Sequence, residues 1–184
     1  MAQYTASACA PLLGWSGQIN PLCGRINEKI LETIRANRPD VLVLHAAWYW
    51  TEYNWQALDN TLAELSRLGI PKIVLLGAAP SWTDTVPNII YSYYGIYESL
   101  PPRTTSYQLD TQAISNFDYR LESLAARHGV TFESLVDIFC DDDGCMLYLD
   151  DILDVTSLDN GHLSTKASEF AARTLAPSLI PGNN

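Results

Sequence analysis

Near the C-terminal end of the chain, Asp159-Asn160-Gly161-His162-Leu163-Ser164 sets a carboxylate three residues before an imidazole, just ahead of a helix-like segment. On a short turn that spacing puts both groups in one site, with a His to take a proton and an Asp to orient it. These are two members of a charge-relay triad, and the missing nucleophile decides what the chain can do. Asp-x-x-His recurs by chance, and as a bare polar turn it would carry no chemistry. Among the serines, Ser81 follows an apolar run and so falls at a sheet edge where active groups gather. Pro80-Ser81-Trp82 nevertheless lacks the Gly-flanked nucleophile elbow, which makes Ser81 a weak alternative nucleophile. Ser16, in Gly14-Trp15-Ser16-Gly17, reads as a turn residue, and Ser164 as the cap of the last helix.

The elements that must position these groups alternate between helix and strand. Tyr4–Ala8 is short and β-like. Ile26, Ile30, Leu31 and Ile34 recur at helical spacing over 26–36. Val41–Leu44 is a continuous apolar run, expected as a strand buried on both faces. Residues 55–68 read as a helix, with Asn54 as N-cap and Gly69 as the stop. Lys72–Leu76 is a second buried strand and 81–107, rich in Tyr, Pro, Ser and Thr, reads as a loop. A long helix over 110–127 ends at His128-Gly129, Val130–Phe139 carries a third strand, expected at Leu135–Phe139, and a last helix at 164–175 precedes a frayed 181–184 tail. The alternation predicts an α/β fold, three-layer α/β/α with a short, mostly parallel sheet.

At 184 residues the chain fits one domain, and 47% hydrophobic against 17% charged residues is globular rather than disordered. With 21 acids against 11 bases, the net charge of −10 repels phosphate backbones and argues against a nucleic-acid partner. The longest apolar runs are about half a membrane span, so no segment here is expected to cross a bilayer. No secretory signal is visible at the start. The four cysteines fall into two local pairs, and proximity favours Cys9–Cys23 and Cys140–Cys145 over the other pairings. Closing a loop of the first size would contribute roughly 3 kcal/mol. Zinc is the alternative, but neither pair has C-x-x-C spacing and the three histidines are scattered; no metal or cofactor is expected. Disulfides imply an oxidising compartment, and with no signal peptide they suggest a piece of something larger.

Other candidates carry bland readings beside sharp ones. His45, ending the first strand, could line a site or make a local polar contact. Trp48, Tyr49, Trp50, Tyr53 and Trp55 form a dense aromatic run suited to packing, or to stacking on a sugar ring; Trp82 is a further possible substrate-lining residue. His128 fits a helix C-terminus. Asp141-Asp142-Asp143 lacks the alternation and bidentate Glu of a calcium loop and reads as a solvated turn.

Taken in order, residues 4–13 (YTASACAPLL), Cys23, Pro39–Leu44 leading to Trp48, Cys140–Cys145, Leu147-Tyr148 and Asp159-x-x-His162-Leu163-Ser164 resemble the SGNH-hydrolase superfamily. Within it they resemble the SGNH domain fused behind membrane acyltransferases that O-acetylate cell-surface polysaccharides. The resemblance covers most of the chain and implies a flavodoxin-like, SGNH-like sheet with His162 as general base and Asp159 as its orienter. It also implies an acyl donor and a glycan acceptor as partners, a membrane acyltransferase domain in the same chain, and a periplasmic or extracytoplasmic location. Two departures matter. The family's Gly-Asp-Ser block is absent, so the nucleophile and the first strand are expected upstream of Met1, outside a C-terminal piece of a larger membrane protein. The Gly-x-Asn-Asp block is replaced by His45-Ala46-Ala47-Trp48, which leaves the oxyanion hole unassigned. Residues 1–184 alone are therefore expected to be inactive. The alternatives are a soluble carbohydrate esterase of the same fold and a non-catalytic glycan-binding or partner-docking domain.

Overall fold

A computed structural model of the chain describes residues 2–48 and 54–179. Tyr49, Trp50 and Tyr53 of the aromatic run, and the 181–184 tail, lie outside the described residues. The elements run α1 (Cys23–Asn37), β1 (Val41–His45), α2 (Trp55–Ser66), β2 (Lys72–Leu76), α3 (Val86–Tyr97), β3 (Thr104–Thr105) and α4 (Thr111–Arg127). β4 (Thr131–Glu133), α5 (Val136–Phe139), β5 (Cys140–Asp141), β6 (Gly144–Met146) and α6 (Thr165–Leu179) follow. The fold is mixed α/β with a short parallel sheet, as the alternation predicts, and the chain divides into two compact units.

The first unit is Met1–Gly77 with Phe117–Glu133. Its three strands pair in parallel in the order β1-β2-β4, in register from Val41↔Lys72 to His45↔Leu76 and from Val74↔Thr131 to Leu76↔Glu133. Leu44, Leu58, Leu62, Leu65, Val74 and Leu75 form its buried interior. Helix α2 starts where Asn54 Oδ1 accepts the Gln56 and Ala57 N–H groups, at 2.9 and 3.3 Å, and Gly69 takes a left-handed φ of 69° beyond its end.

Two expectations are corrected in this unit. Residues 4–8 form no strand, because a strand needs a ladder and this segment pairs with no described neighbour. What holds the N-terminal loop is α1: Cys23 is bonded to Cys9, and buried Asn27 donates to the Ala10 and Leu12 carbonyls at 2.7 and 3.1 Å. Strand β1 is not buried on both faces either. It lies at the edge of the described sheet, and Val43 is 43% exposed.

The second unit is Ala78–Asn116 with Ser134–Asn184. It carries a small antiparallel sheet, β3-β6-β5, and a core of Trp82, Val86, Ile89, Cys145 and Leu147. The hairpin between β5 and β6 is closed by the Cys140–Cys145 disulfide. Gly144 there has φ 130°, and a Cβ on it would run into the Thr105 backbone.

Two more corrections fall at 81–107 and 135–139. The Tyr-rich segment expected as a loop contains α3, which starts with Thr85 Oγ1 accepting the Asn88 N–H at 3.3 Å and with a proline in its first turn. The third strand of the parallel sheet falls within 130–139 as expected, but at Thr131–Glu133 rather than 135–139. Apolar Leu135, Val136, Ile138 and Phe139 instead wind into the helical turn α5, which Ser134 Oγ opens by accepting the Asp137 N–H at 3.1 Å.

Candidate active site

The Asp159–His162 turn belongs to the second unit and is tied down at both ends. Thr156 is buried, its N–H bonded to the Leu147 carbonyl at 2.9 Å and its hydroxyl donating to the Met146 carbonyl at 2.8 Å. On the far side Ser157 and Leu163 form an antiparallel bridge, and the Ser164 N–H returns to the Thr156 carbonyl at 2.8 Å. Ser164 Oγ then accepts the Ala167 N–H at 3.2 Å and caps α6. From the other direction the Trp82 N–H donates to the Asn160 carbonyl at 2.8 Å, and the Val86 N–H, opening α3, donates to the Asp159 carbonyl at 3.1 Å. The loop is short, but its backbone is hydrogen-bonded on both sides.

Within it, the two carboxylate oxygens of Asp159 have separate tasks. Oδ1 accepts the N–H groups of Gly161 and His162 at 2.9 and 2.7 Å, and the hydroxyl of buried Ser157 at 3.0 Å. Oδ2 is thereby left for the imidazole, whose Nδ1 lies 2.7 Å away. Partial burial pushes the Asp159 carboxyl upward, but the hydrogen bonds from Gly161, His162 and Ser157 outweigh it and hold the group far below the usual carboxylate range. An ionised Oδ2 can only accept, so Nδ1 carries a proton, and in the neutral imidazole the lone pair is then on Nε2. The ring is open to solvent, with 85% of the His162 side chain exposed. In that form, Nε2 could accept a proton from a hydroxyl brought within hydrogen-bond reach.

Ser157 went unnoticed in the sequence. Its hydroxyl is shared between Asp159 Oδ1 and the Asp159 carbonyl, and it accepts the Asp159 N–H at 3.2 Å. The one available signal was the Ser-x-Asp spacing of 157–159, a weak local-turn pattern.

The remaining candidates stand elsewhere. Ser81 is buried, and its carbonyl accepts the Asp110 N–H at 2.9 Å. Among the described residues no serine hydroxyl is hydrogen-bonded to the His162 ring. Trp82 is 2% exposed in the core of its unit. In the first unit, Trp48 is 1% exposed and donates its indole N–H to the Leu76 carbonyl at 2.8 Å, so it presents no open ring face. Trp55 stacks on Phe117 at 5.9 Å with the Arg120 guanidinium 4.2 Å from its ring centroid.

His45, exposed at the end of β1, has protein on its inner side. That desolvation lowers its pKa against the opposing pull of the Leu76 and Gly77 backbone. His128, at the end of α4, bonds Asp59 Oδ1 at 2.8 Å; that bond, with Arg127 nearby, keeps Asp59 below its ordinary value. Asp141 Oδ1 accepts the Asp143 N–H at 3.0 Å inside the disulfide-closed turn.

A parallel α/β sheet together with a carboxylate-oriented histidine in the turn before the last helix defines the SGNH class of domain. The chain belongs to the family of SGNH domains fused to AT3 domains, whose profile matches residues 1–177. Its fold is similar to that of a lipopolysaccharide acetyltransferase periplasmic domain from Salmonella ser. Paratyphi A. The TM-score is 0.83 at 20% identity, covering 93% of this chain and 69% of that one. No curated protein sequence matches the chain. Membership of that family gives the domain an acyltransferase-associated role. No helix among the described residues is long and apolar enough to cross a membrane.

Proposed function

We propose that residues 1–184 are the SGNH domain of a membrane-fused acyltransferase that places an acyl group, most simply acetyl, on a hydroxyl of cell-surface polysaccharide at the periplasmic face. The observation that carries this reading is the Asp159–His162 pair, fixed in the tautomer that leaves Nε2 basic. The nucleophilic serine is supplied from outside residues 1–184.

In this scheme His162 Nε2 takes the hydroxyl proton as the serine oxygen attacks the donor's acyl carbonyl. The tetrahedral adduct then collapses, and the donor's leaving group departs with the proton from His162. In the second half His162 deprotonates the sugar hydroxyl, which attacks the acyl-serine, and the serine oxygen leaves with that proton. Asp159 stays ionised throughout and stabilises the imidazolium formed twice in each turnover.

In the full-length protein, His162→Ala lowers acetyl transfer to polysaccharide by about 10³-fold or more while expression and folding persist. Residues 1–184 on their own react with no fluorophosphonate probe. Undiminished transfer by the His162 variant, or a labelled serine within 1–184, refutes the proposal.

A further inference from the structure

Helix α3 has no charged residue along its whole length, and the face it turns to solvent is aromatic. Tyr91 is 80% exposed and Tyr94 54%, on successive turns of one side, in a chain whose net charge is −10. A surface helix ordinarily places charge on that side. Next to them sits Gly95, one turn after Tyr91. A Cβ there would meet nothing within 4 Å, so packing inside the protein does not require the glycine. A mid-helix glycine is unfavourable compared with alanine. Its effect is a bare strip of backbone beside two flat rings.

The end of the platform is packed ring against ring. Tyr97 packs on Tyr93 at 4.4 Å, and Tyr107 meets both edge-on, at 6.3 and 5.3 Å. The start of the helix is bonded to the site, since the Val86 N–H holds the Asp159 carbonyl. Tyr91 and Tyr94 therefore lie about 7.5 and 12 Å along the helix axis from that attachment. Side chains on a helix lean toward its N-terminus, here the Asp159 end.

We infer that the Tyr91–Tyr94–Gly95 face of α3 is a docking platform for an uncharged stretch of the acceptor polysaccharide, leading it toward His162; this rests on the acyl-transfer reading above. Charge selects this occupant. The unit that carries α3 holds twelve carboxylates against three basic residues, Arg103, Lys166 and Arg173. Anionic lipid headgroups, phosphates and uronic acids are repelled from such a surface. A neutral sugar chain offers C–H faces for the rings and hydroxyls for the phenols, which suits side chains with an apolar body and a polar tip.

The test is equilibrium binding to polysaccharide released from the surface of the cells that make the protein, with neutral and uronic-acid oligosaccharides as reference probes. Tyr91→Ala and Tyr94→Ala each weaken binding about threefold to tenfold, as expected for loss of one aromatic contact. Tyr91→Phe retains most of it, and neutral probes bind better than uronic ones. Gly95→Leu raises thermal stability and weakens binding, a combination that a merely structural glycine does not produce. Failure of the released polysaccharide to bind overturns the inference. So does an affinity unaffected by these variants, self-association abolished by Tyr91→Lys, or adsorption to phosphatidylglycerol vesicles. In the full-length protein, an unchanged KM for polysaccharide in Tyr91→Ala, with transfer abolished by His162→Ala, removes the platform and leaves the acyl-transfer reading intact. Transfer that survives His162→Ala while the tyrosine variants lose polysaccharide does the reverse.

Discussion

Replacing Asp159 by Asn tests the tautomer directly, because the turn dictates how the amide must sit. The Oδ1 position faces three donors, the N–H groups of Gly161 and His162 and the Ser157 hydroxyl, so the carbonyl of the introduced amide has to occupy it. The NH2 group is thereby aimed at the imidazole nitrogen that Oδ2 contacted at 2.7 Å. A donor there forces Nδ1 to become the acceptor and moves the ring proton to Nε2. A histidine protonated at Nε2 cannot take a proton from a hydroxyl, and the corresponding change in a serine triad lowers kcat about 10⁴-fold, or roughly 5.5 kcal/mol. Folding suffers much less. The bonds to Oδ1 survive with a neutral acceptor in place of a charged one, and 46% of the Asp159 side chain is exposed. The stability loss is then about 1 kcal/mol, or roughly 2–4 °C in Tm. The ¹⁵N shifts of the two ring nitrogens report the tautomer on residues 1–184 alone, independently of the nucleophile, and acetyl transfer is read in the full-length protein. If Nδ1 remains protonated in Asp159→Asn, or transfer falls less than tenfold, the assigned role of the pair is wrong.

Three further outcomes follow from the same geometry. Ser157→Ala removes one of the three donors on Oδ1 and leaves the Asp159 N–H without its acceptor; it lowers stability by about 2 kcal/mol and transfer by roughly tenfold, less than Asp159→Asn, and an unchanged denaturation midpoint contradicts it. Because the folded pKa of Asp159 lies below its unfolded value near ~3.9, its contribution to stability is fully present above that value. It is lost progressively as pH falls from that value to the depressed folded pKa; in the folded protein the Asp159 carboxyl shows no ¹³C titration step from pH 8 to pH 4, and a carboxyl titration inside that window disproves the hydrogen-bond account. Gly144→Ala meets both a φ of 130° and the Thr105 backbone; it destabilises by more than about 3 kcal/mol, and near-native stability in urea argues against the hairpin as drawn.

Sequence patterns reveal those parts of the molecule whose physics is local. Asn54 and Gly69 delimit α2 because a cap acceptor and a left-handed residue act within a few positions of themselves. The Cys9–Cys23 and Cys140–Cys145 pairs are short loops, so proximity alone points to them. Asp159 and His162 meet because one Asx-type turn suffices to join them. Strand order and burial depend on partners far away in sequence. The run at 135–139 is equally apolar as strand or as buried helical turn, and only the pairing of β2 with Thr131–Glu133 decides it. Residues 4–8 carry strand-like side chains but have no described ladder to join.

Helix α3 is the instructive miss. Sequence reading finds a surface helix by its contrast between an apolar face and a charged one, and Val86–Tyr97 offers no such contrast. Its tyrosines, proline and glycine look like loop composition. The structure shows that the helix is capped by Thr85 and buried through Val86 and Ile89, while Tyr91 and Tyr94 remain outside. A helix that needed only to pack and stay soluble could meet both demands with charge on its outer side, at little energetic cost. This one gives up that charge and a favourable residue at position 95, on a helix whose first turn is bonded to the turn that holds His162. The feature that hides α3 from sequence patterns is therefore the same one that gives its outer face a role beyond packing.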